Sequence, residues 1–173
     1  MCMTLKIVNA KQVDLTDDDI GSIVKIECHT KVQDWLYASV NLGSKREFRD
    51  YREFFKNLPM NRQADILIAK YDGQVVGFLS LWRLGAFMEH VATIGISVHP
   101  DYWGMGIASQ LIESAINLAK IKGIERLEVE ALSENAALRS VAENAGFKLE
   151  SIRENRILKG GVYHDEAAYF MLL

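Results

Sequence analysis

One stretch of the sequence, residues 94–109, constrains the fold more than any other. Ile94, Ile96 and Val98 alternate with small or polar residues, a period typical of a β-strand. Pro100 then removes a backbone hydrogen-bond donor and marks the end of that strand. A glycine-rich turn and a helical pattern follow, so the chain reverses directly after a strand.

The turn carries two glycines, Gly104 and Gly106. Without a Cβ atom, both can adopt positive φ and approach a bulky anion, and their N–H groups can point at its oxygens. The first amides of the following helix lack intrahelical partners and lie at the positive end of the helix dipole. The turn therefore predicts a pyrophosphate cradle that needs no lysine. A tight turn whose glycines serve packing alone is the alternative that this motif leaves open.

Length and composition favour one domain spanning residues 1–173, because 49% of the residues are hydrophobic and no linker or repeat interrupts them. The formal charge of −3 and the absence of a basic stripe argue against a nucleic-acid partner. Cys2 and Cys28 lack metal-ligand spacing, and no secretory signal or membrane-length apolar run accompanies them. We therefore expect no metal, no membrane association and a cytoplasmic location.

Hydrophobic periods divide the first half of the chain into strands and helices. A strand is predicted at 5–10, a helix beginning after the capping residue Thr16, and a loop with a short helix within 29–43. Ser44 to Glu47 form a capping box that opens a helix at 45–58. A β-hairpin at 65–84 around Asp72-Gly73 and a strand at 90–98 complete this half.

The second half begins with the main core helix, which runs from Ile107 to the stop signal Gly123. The strand at 126–131 is predicted to run parallel to the strand before the helix, because a helical crossover joins them. Asn135 is the predicted N-cap of a last helix ending at Gly146, and a hairpin closes the chain at 147–172. The predicted order is β-α-α-β-β-β-α-β-α-β-β.

The turn lacks the P-loop signature and matches a dinucleotide-binding loop only weakly. A P-loop ends in Gly-Lys-Ser/Thr, whereas Gly106 is followed by Ile107-Ala108. A dinucleotide-binding loop needs a third glycine where Ser109 stands and a first glycine directly after the strand.

The turn instead resembles the signature of the GNAT acetyltransferase superfamily, Gln/Arg-x-x-Gly-x-Gly/Ala after a strand, which Trp103-Gly104-Met105-Gly106-Ile107-Ala108 matches except at Trp103. A second block, from Asn135 through Leu138 and Val141 to Gly146-Phe147, is similar to the family's Asn-to-Gly-Phe segment. The ending at 161–166 resembles the final hairpin of branches that acetylate small amines or protein N-termini.

The resemblance implies an α/β (α+β) fold, with a central mixed, mostly antiparallel sheet of about seven strands flanked by about four helices and containing a splayed parallel strand pair. It also implies that acetyl-CoA is the cosubstrate and that pantetheine pairs with the splayed strand as an added strand would. The residues expected to bind acetyl-CoA are Ile96, Ser97, Val98, Trp103, Gly104, Met105, Gly106, Ile107, Ala108, Ser109, Asn135, Leu138 and Val141.

In the implied reaction a deprotonated amine attacks the thioester directly, which requires a donor for the oxyanion and an acid for the thiolate. Many relatives supply the acid from a tyrosine at the position of Ala142, so that acid is absent here. Glu89 and His90, at the start of the strand that leads to the turn, are the predicted catalytic residues. His99, Tyr163 and His164 are interpreted as surface residues, the last two also as a dimer contact.

The sequence therefore predicts an N-acetyltransferase acting on a primary amine, either a small molecule or a protein N-terminus. Because Ala142 replaces the usual tyrosine, a non-catalytic CoA-binding regulatory module is the alternative. Acid–base assistance contributes only ~10²- to 10⁴-fold, so one missing side chain does not abolish such chemistry. A homodimer is compatible with the sequence, and Glu128 and Glu130 are interpreted as a solvated strand face.

Overall fold

The computed structural model describes residues 4–36 and 48–173 and contains one seven-stranded mixed sheet. The strands are β1 (Leu5–Asn9), β2 (Ala64–Tyr71), β3 (Gln74–Arg83), β4 (Val91–Val98), β5 (Arg126–Leu132), β6 (Lys148–Lys159) and β7 (Val162–Leu172). Their order across the sheet is β1-β2-β3-β4-β5-β7-β6, and only the β4–β5 pair is parallel. The predicted fold class is confirmed.

Within the described residues there are five α-helices: α1 (Asp17–Glu27), α2 (Thr30–Gln33), α3 (Phe48–Asn57), α4 (Ile107–Ile121) and α5 (Ala136–Asn144). The number exceeds the predicted four because α2 is a single turn within the segment predicted to hold a loop and a short helix. The predicted capping box at residues 44–47 lies outside the described residues.

The two predicted hairpin turns adopt the backbone dihedral angles that their residues favour. In the β2–β3 turn, Asp72 and Gly73 have φ values of 47° and 84°. In the β6–β7 turn, Gly160 and Gly161 have φ values of 59° and 82°. Two consecutive positive φ angles match the right-handed twist of the flanking strands, which is why Asp-Gly and Gly-Gly suit these positions.

A hydrophobic core packs on each face of the sheet. One cluster joins α4 and α5 to alternate strand residues, including Leu79, Ile94 and Val129. The other joins α1 and α3 to strand residues of opposite phase, including Phe78. Because successive side chains point to opposite faces, β4 presents Ile94 and Val98 to the α4 face and Thr93, Gly95 and Ser97 to the α1 face.

Candidate functional site

The turn between β4 and α4 has the geometry of an open anion cradle. Gly104 and Gly106 have φ values of 77° and 75°, in the left-handed region, and Gly106 is the N-cap of α4. A Cβ atom built on either glycine would meet no other atom within 4 Å. Close packing therefore does not explain the glycines, and a ligand can approach this backbone.

Six successive amides in this turn are unpaired. Across the part of the chain that the structure describes, no protein group accepts a hydrogen bond from the N–H groups of residues 104–109. The preceding amide, that of Trp103, donates to Pro100, and Gln110 begins the ladder of α4 by donating to Gly106. Unpaired amides at the positive end of a 15-residue helix fit the pyrophosphate of CoA.

The parallel strands separate before the cradle is reached. β4 and β5 pair from Val91 opposite Arg126 as far as Ile94 opposite Val129, and the pairing ends there. Gly95 to Val98 remain hydrogen-bonded to β3 on their other side. The edge of β4 that faces β5 is thus open over four residues, so an extended ligand with amide groups can pair with it.

The side chain of Trp103 connects the glycine turn to the end of β4 by a hydrogen bond. Its indole Nε1 donates a 2.7 Å hydrogen bond to the carbonyl oxygen of Val98, while the residue as a whole remains 46% exposed. The contact gives a structural role to the residue that replaces the family's Gln or Arg. One carbonyl at the end of β4 is thereby occupied by the protein itself.

A cleft of about 670 Å³ connects the cradle, the strand gap and the end of α1. The predicted cofactor-binding residues line it, with the exception of Met105, whose side chain is half-exposed in the turn outside the lining. Asn135, Leu138 and Val141 form the α5 side of the cleft. Asn135 is also the predicted N-cap, since its Oδ1 accepts from the Leu138 amide at 3.1 Å.

Glu89 and His90 do not line the cleft. Both are exposed and precede the first residue of β4, at the end of the strand opposite the cradle. Six residues of extended chain, about 20 Å, separate His90 from Ile96. The His90 carbonyl accepts hydrogen bonds from the amides of Glu125 and Arg126, which fixes this end of the strand. The structure therefore does not bring the predicted catalytic pair to the site.

Another carboxylate, that of Glu27 at the end of α1, lines the cleft. It is only 1% exposed and accepts a hydrogen bond from the Tyr51 hydroxyl on α3. Sequence reasoning missed it, although a signal existed: Glu27 follows Ile20 and Ile23 at helical spacing and so falls on the apolar face of α1. A charged residue at such a position is costly to bury and therefore informative.

Two further carboxylates, Glu130 and Glu134, line the same cleft. Glu130 is the first β5 residue beyond the segment that pairs with β4, and its carboxylate forms a 2.7 Å ion pair with Arg153. Glu134 contacts Nδ1 of His164. A hydrogen bond from its own backbone amide, together with the contact to His164, holds the pKa of Glu134 below the ordinary value for a glutamate. The interpretation of Glu130 as part of a merely solvated face is thus incomplete.

Ala142, where many relatives have the tyrosine acid, is 1% exposed and belongs to the core around α4 and α5. No replacement hydroxyl stands at that position. Among the described residues there is also no group of three or more His, Cys, Asp or Glu side chains arranged to hold a metal ion. The described helices include none long and apolar enough to cross a bilayer.

Comparison with known proteins matches these features to one family. Residues 29–147 match the acetyltransferase (GNAT) family, a segment that includes β4, the cradle, α4, β5 and α5. The chain therefore belongs to the GNAT family and is an N-acetyltransferase that uses acetyl-CoA and transfers the acetyl group to an amine.

Sequence relatives include a Bacillus subtilis protein whose name assigns it, provisionally, to alanine N-acetylation of ribosomal protein bS18. It is 24% identical over 144 residues, 83% of this chain and 84% of the relative. The corresponding Escherichia coli K12 enzyme is 31% identical over 68 residues, 39% of this chain and 46% of that protein.

Solved structures share the fold. An N-acetyltransferase from Staphylococcus aureus Mu50 has a TM-score of 0.79 at 20% identity and covers 98% of both chains. Salmonella typhimurium YncA, solved with its cofactor acetyl-CoA, has a TM-score of 0.78 at 18% identity, covering 99% of this chain and 94% of that one.

Proposed function

We propose that this enzyme acetylates a primary amine that arrives as a cation, either a small molecule or a protein N-terminus. The observation that carries the proposal is the charge of the cleft: within the described lining, the charged side chains are Glu27, Glu130 and Glu134, all carboxylates. Such a lining attracts an ammonium group and disfavours an anionic acceptor. The relatives named for alanine N-acetylation support a protein N-terminus as one form of this acceptor.

In this proposal the amides of residues 104–109 bind the pyrophosphate, and the open edge of Ile96 to Val98 pairs with pantetheine. Asn135 offers the amide of its side chain, because its Oδ1 is already engaged as the cap of α5. Leu138 and Val141 supply apolar contacts. These groups hold the thioester in the strand gap, between the cradle and the carboxylates.

The amine nitrogen attacks the thioester carbonyl carbon, and the carbon–sulfur bond breaks as the thiolate leaves. A backbone N–H on the open edge of β4 is suitably placed to donate to the developing oxyanion. Because Ala142 supplies no acid, the thiolate takes its proton from solvent. Positioning in the cleft thus provides most of the rate enhancement.

The deciding measurement is the release of CoA thiol from acetyl-CoA over a panel of polyamines, amino acids, aminoglycosides and peptides with free N-termini, including peptides that begin with alanine. We expect acceleration by at least one cationic amine and none by N-blocked peptides. Binding of acetyl-CoA without acceleration by any acceptor would contradict the proposed reaction. Unchanged acetyl-CoA binding after Gly106→Glu would contradict the proposed cradle.

The role of the acidic lining is tested separately with Glu27→Gln. We expect a KM for the amine at least tenfold higher, with the Kd for acetyl-CoA unchanged, because one attractive charge is lost at the acceptor end. Glu113→Gln, an exposed position on α4, is the matched control. An equal change of both constants in Glu27→Gln would indicate a general loss of structure.

The remaining parts of the proposal concern the protein as a whole. We propose a single domain over residues 1–173, a cytoplasmic enzyme without a nucleic-acid partner, and a second copy of the chain as the partner of β6. Exposed Leu149 and Ile152 on this edge strand support the last point. Sedimentation analysis of the wild type and of Ile152→Lys tests it, since the charge should yield monomers.

A further inference from the structure

A histidine outside the cleft lining contacts a carboxylate that belongs to the lining. Nδ1 of His164, on β7, contacts Oε1 of Glu134, in the loop between β5 and α5. We infer that His164 is the proton acceptor for the incoming ammonium group and that Glu134 positions its ring. The inference rests on the proposed function, because it assigns a base to that reaction.

The register of the sheet places His164 on the same face of the sheet as Glu130. β5 and β7 pair with Glu130 opposite Ala168 and Leu132 opposite Glu166. His164 shares the face of Glu166 and Ala168, since it lies two and four residues before them, and the local irregularity of the hairpin is on β6. It therefore faces the same side as Glu130, which lines the cleft.

Glu134 connects the imidazole to the lining of the cleft. Its carboxylate lines the cleft beside the α5 residues, and its second oxygen receives a 3.4 Å hydrogen bond from Ser133. A carboxylate at Nδ1 favours the tautomer with hydrogen on Nδ1, which leaves the Nε2 lone pair to accept a proton. In the described parts of the chain no other hydrogen bond engages the His164 ring.

Other charged groups surround the pair without replacing either partner. Lys159, on β6, acts electrostatically on Glu134 but donates its protons to the backbone carbonyls of Gln33 and Asp34, each at 2.5 Å. Further titratable or charged groups on the neighbouring elements are Asp34 directly after α2, Asp165 and Glu166 on β7, and Arg153 and Arg156 on β6. Arg153 and Arg156 both pair with Glu166, and Asp165 accepts from the Asn155 amide.

The proton balance of the proposed step is complete without another reactant. The ammonium group transfers one proton to Nε2 of neutral His164, directly or through one water, and becomes a nucleophilic amine. After attack and cleavage of the carbon–sulfur bond, the nitrogen loses a second proton, which neutralises the thiolate through solvent. His164 returns its proton to solvent, so that amine cation and acetyl-CoA yield amide, CoA thiol and one proton.

The test compares His164→Gln with the wild type in pH profiles of kcat/KM, using spermidine and an alanine-starting peptide as acceptors. We expect a loss of about 10²-fold near neutral pH, because general-base assistance is worth at least that much. The loss should shrink as the pH rises and the amine deprotonates by itself. Tyr163→Phe, the exposed neighbouring position, should follow the wild-type profile.

Two further variants distinguish a role of His164 in proton transfer from a purely structural role. Added imidazole should restore part of the activity of His164→Gly, and Glu134→Gln should lower kcat while leaving the KM for the amine unchanged, because the ring loses the carboxylate that orients its Nδ1–H. The Kd for acetyl-CoA should remain unchanged in His164→Gln, His164→Gly and Glu134→Gln. A uniform loss at every pH, no rescue by imidazole, or activity within twofold of wild type in His164→Gln would overturn the inference. Inactivity of the wild type on both acceptors and the whole panel would refute the proposed function first, and the inference with it.

Discussion

The indole Nε1 of Trp103 donates a 2.7 Å hydrogen bond to the carbonyl oxygen of Val98, the last residue of β4. This bond ties the strand that offers an open edge to the turn that offers six unpaired amides. Relative motion of these two surfaces would alter the distance between the sites proposed for pantetheine and pyrophosphate. Trp103 thus acts on the ligand through the backbone that it fixes.

Trp103→Phe removes the donor and keeps an aromatic ring. The net value of such a hydrogen bond is about 0.5–1.5 kcal/mol, so acetyl-CoA affinity should fall by up to about tenfold. Titration calorimetry with acetyl-CoA measures the change. Phe87→Ala, at a 98% exposed position, is the control and should bind like the wild type. Unchanged affinity in Trp103→Phe would remove the proposed link.

Gly106→Ala and Gly73→Ala form a matched pair, because both glycines have positive φ and open space around a built Cβ. Each substitution should lower the free energy of unfolding by about 1–2 kcal/mol through backbone strain. Only Gly106→Ala should also weaken acetyl-CoA binding, by tenfold or more, because its methyl group enters the cradle. Urea unfolding and calorimetry together distinguish the two effects, and equal binding by both variants would contradict the assignment.

Tyr169 couples stability to alkaline pH. Its hydroxyl accepts from Arg139 Nε at 2.9 Å and donates to Glu143 at 2.7 Å. Burial, opposed by the bond from Arg139 and reinforced by the bond to Glu143, raises the pKa of Tyr169. The native state therefore holds this proton more tightly than the unfolded state, whose tyrosine titrates near ~10.

The stabilising effect should be complete below about pH 10 and decline as the pH rises through the native pKa of Tyr169. We expect Tyr169→Phe to be less stable than the wild type by about 1–3 kcal/mol at neutral pH, because Glu143 and Arg139 lose their common partner. The difference in stability between Tyr169→Phe and the wild type should become smaller in strongly alkaline solution. Urea denaturation between neutral and alkaline pH measures it, and a gap independent of pH would contradict the titration.

The stability contributed by Asp19 should depend on pH in the opposite direction from that of Tyr169. Burial acts to raise its pKa, but hydrogen bonds from Lys70, at 2.7 Å, and from Thr16 prevail and lower it. The stabilisation is therefore present above the unfolded pKa of about 3.9 and is lost as the pH falls through the native value. Asp19→Asn should cost about 1–3 kcal/mol at neutral pH and much less in acid. Asp18→Asn, exposed on the same helix, should cost little at either pH.

Local patterns predicted the elements well, since each depends on neighbours in the chain. The capping residue Thr16, the Asp72-Gly73 turn, the N-cap Asn135 and the positive φ of Gly106 all appear in the structure. The parallel β4–β5 pair also followed from sequence, because a helical crossover connects strands of the same sense.

The candidate site was only partly predictable for the same reason. Its cradle and α5 side are continuous segments, so their residues could be recognised together. Glu89 and His90 were assigned by their nearness in sequence to β4, but an extended strand carries them to its far end. Proximity along the chain is a poor guide to proximity in a sheet.

The sequence by itself determined the strand, glycine turn and helix that form the cradle, because these depend on backbone freedom and hydrogen bonding within a few residues. Only the tertiary structure brought Glu27, Glu130 and Glu134 to one cleft and set His164 against a residue 30 positions earlier. Those contacts depend on strand order and register, which join distant segments and assign each side chain to one face of the sheet.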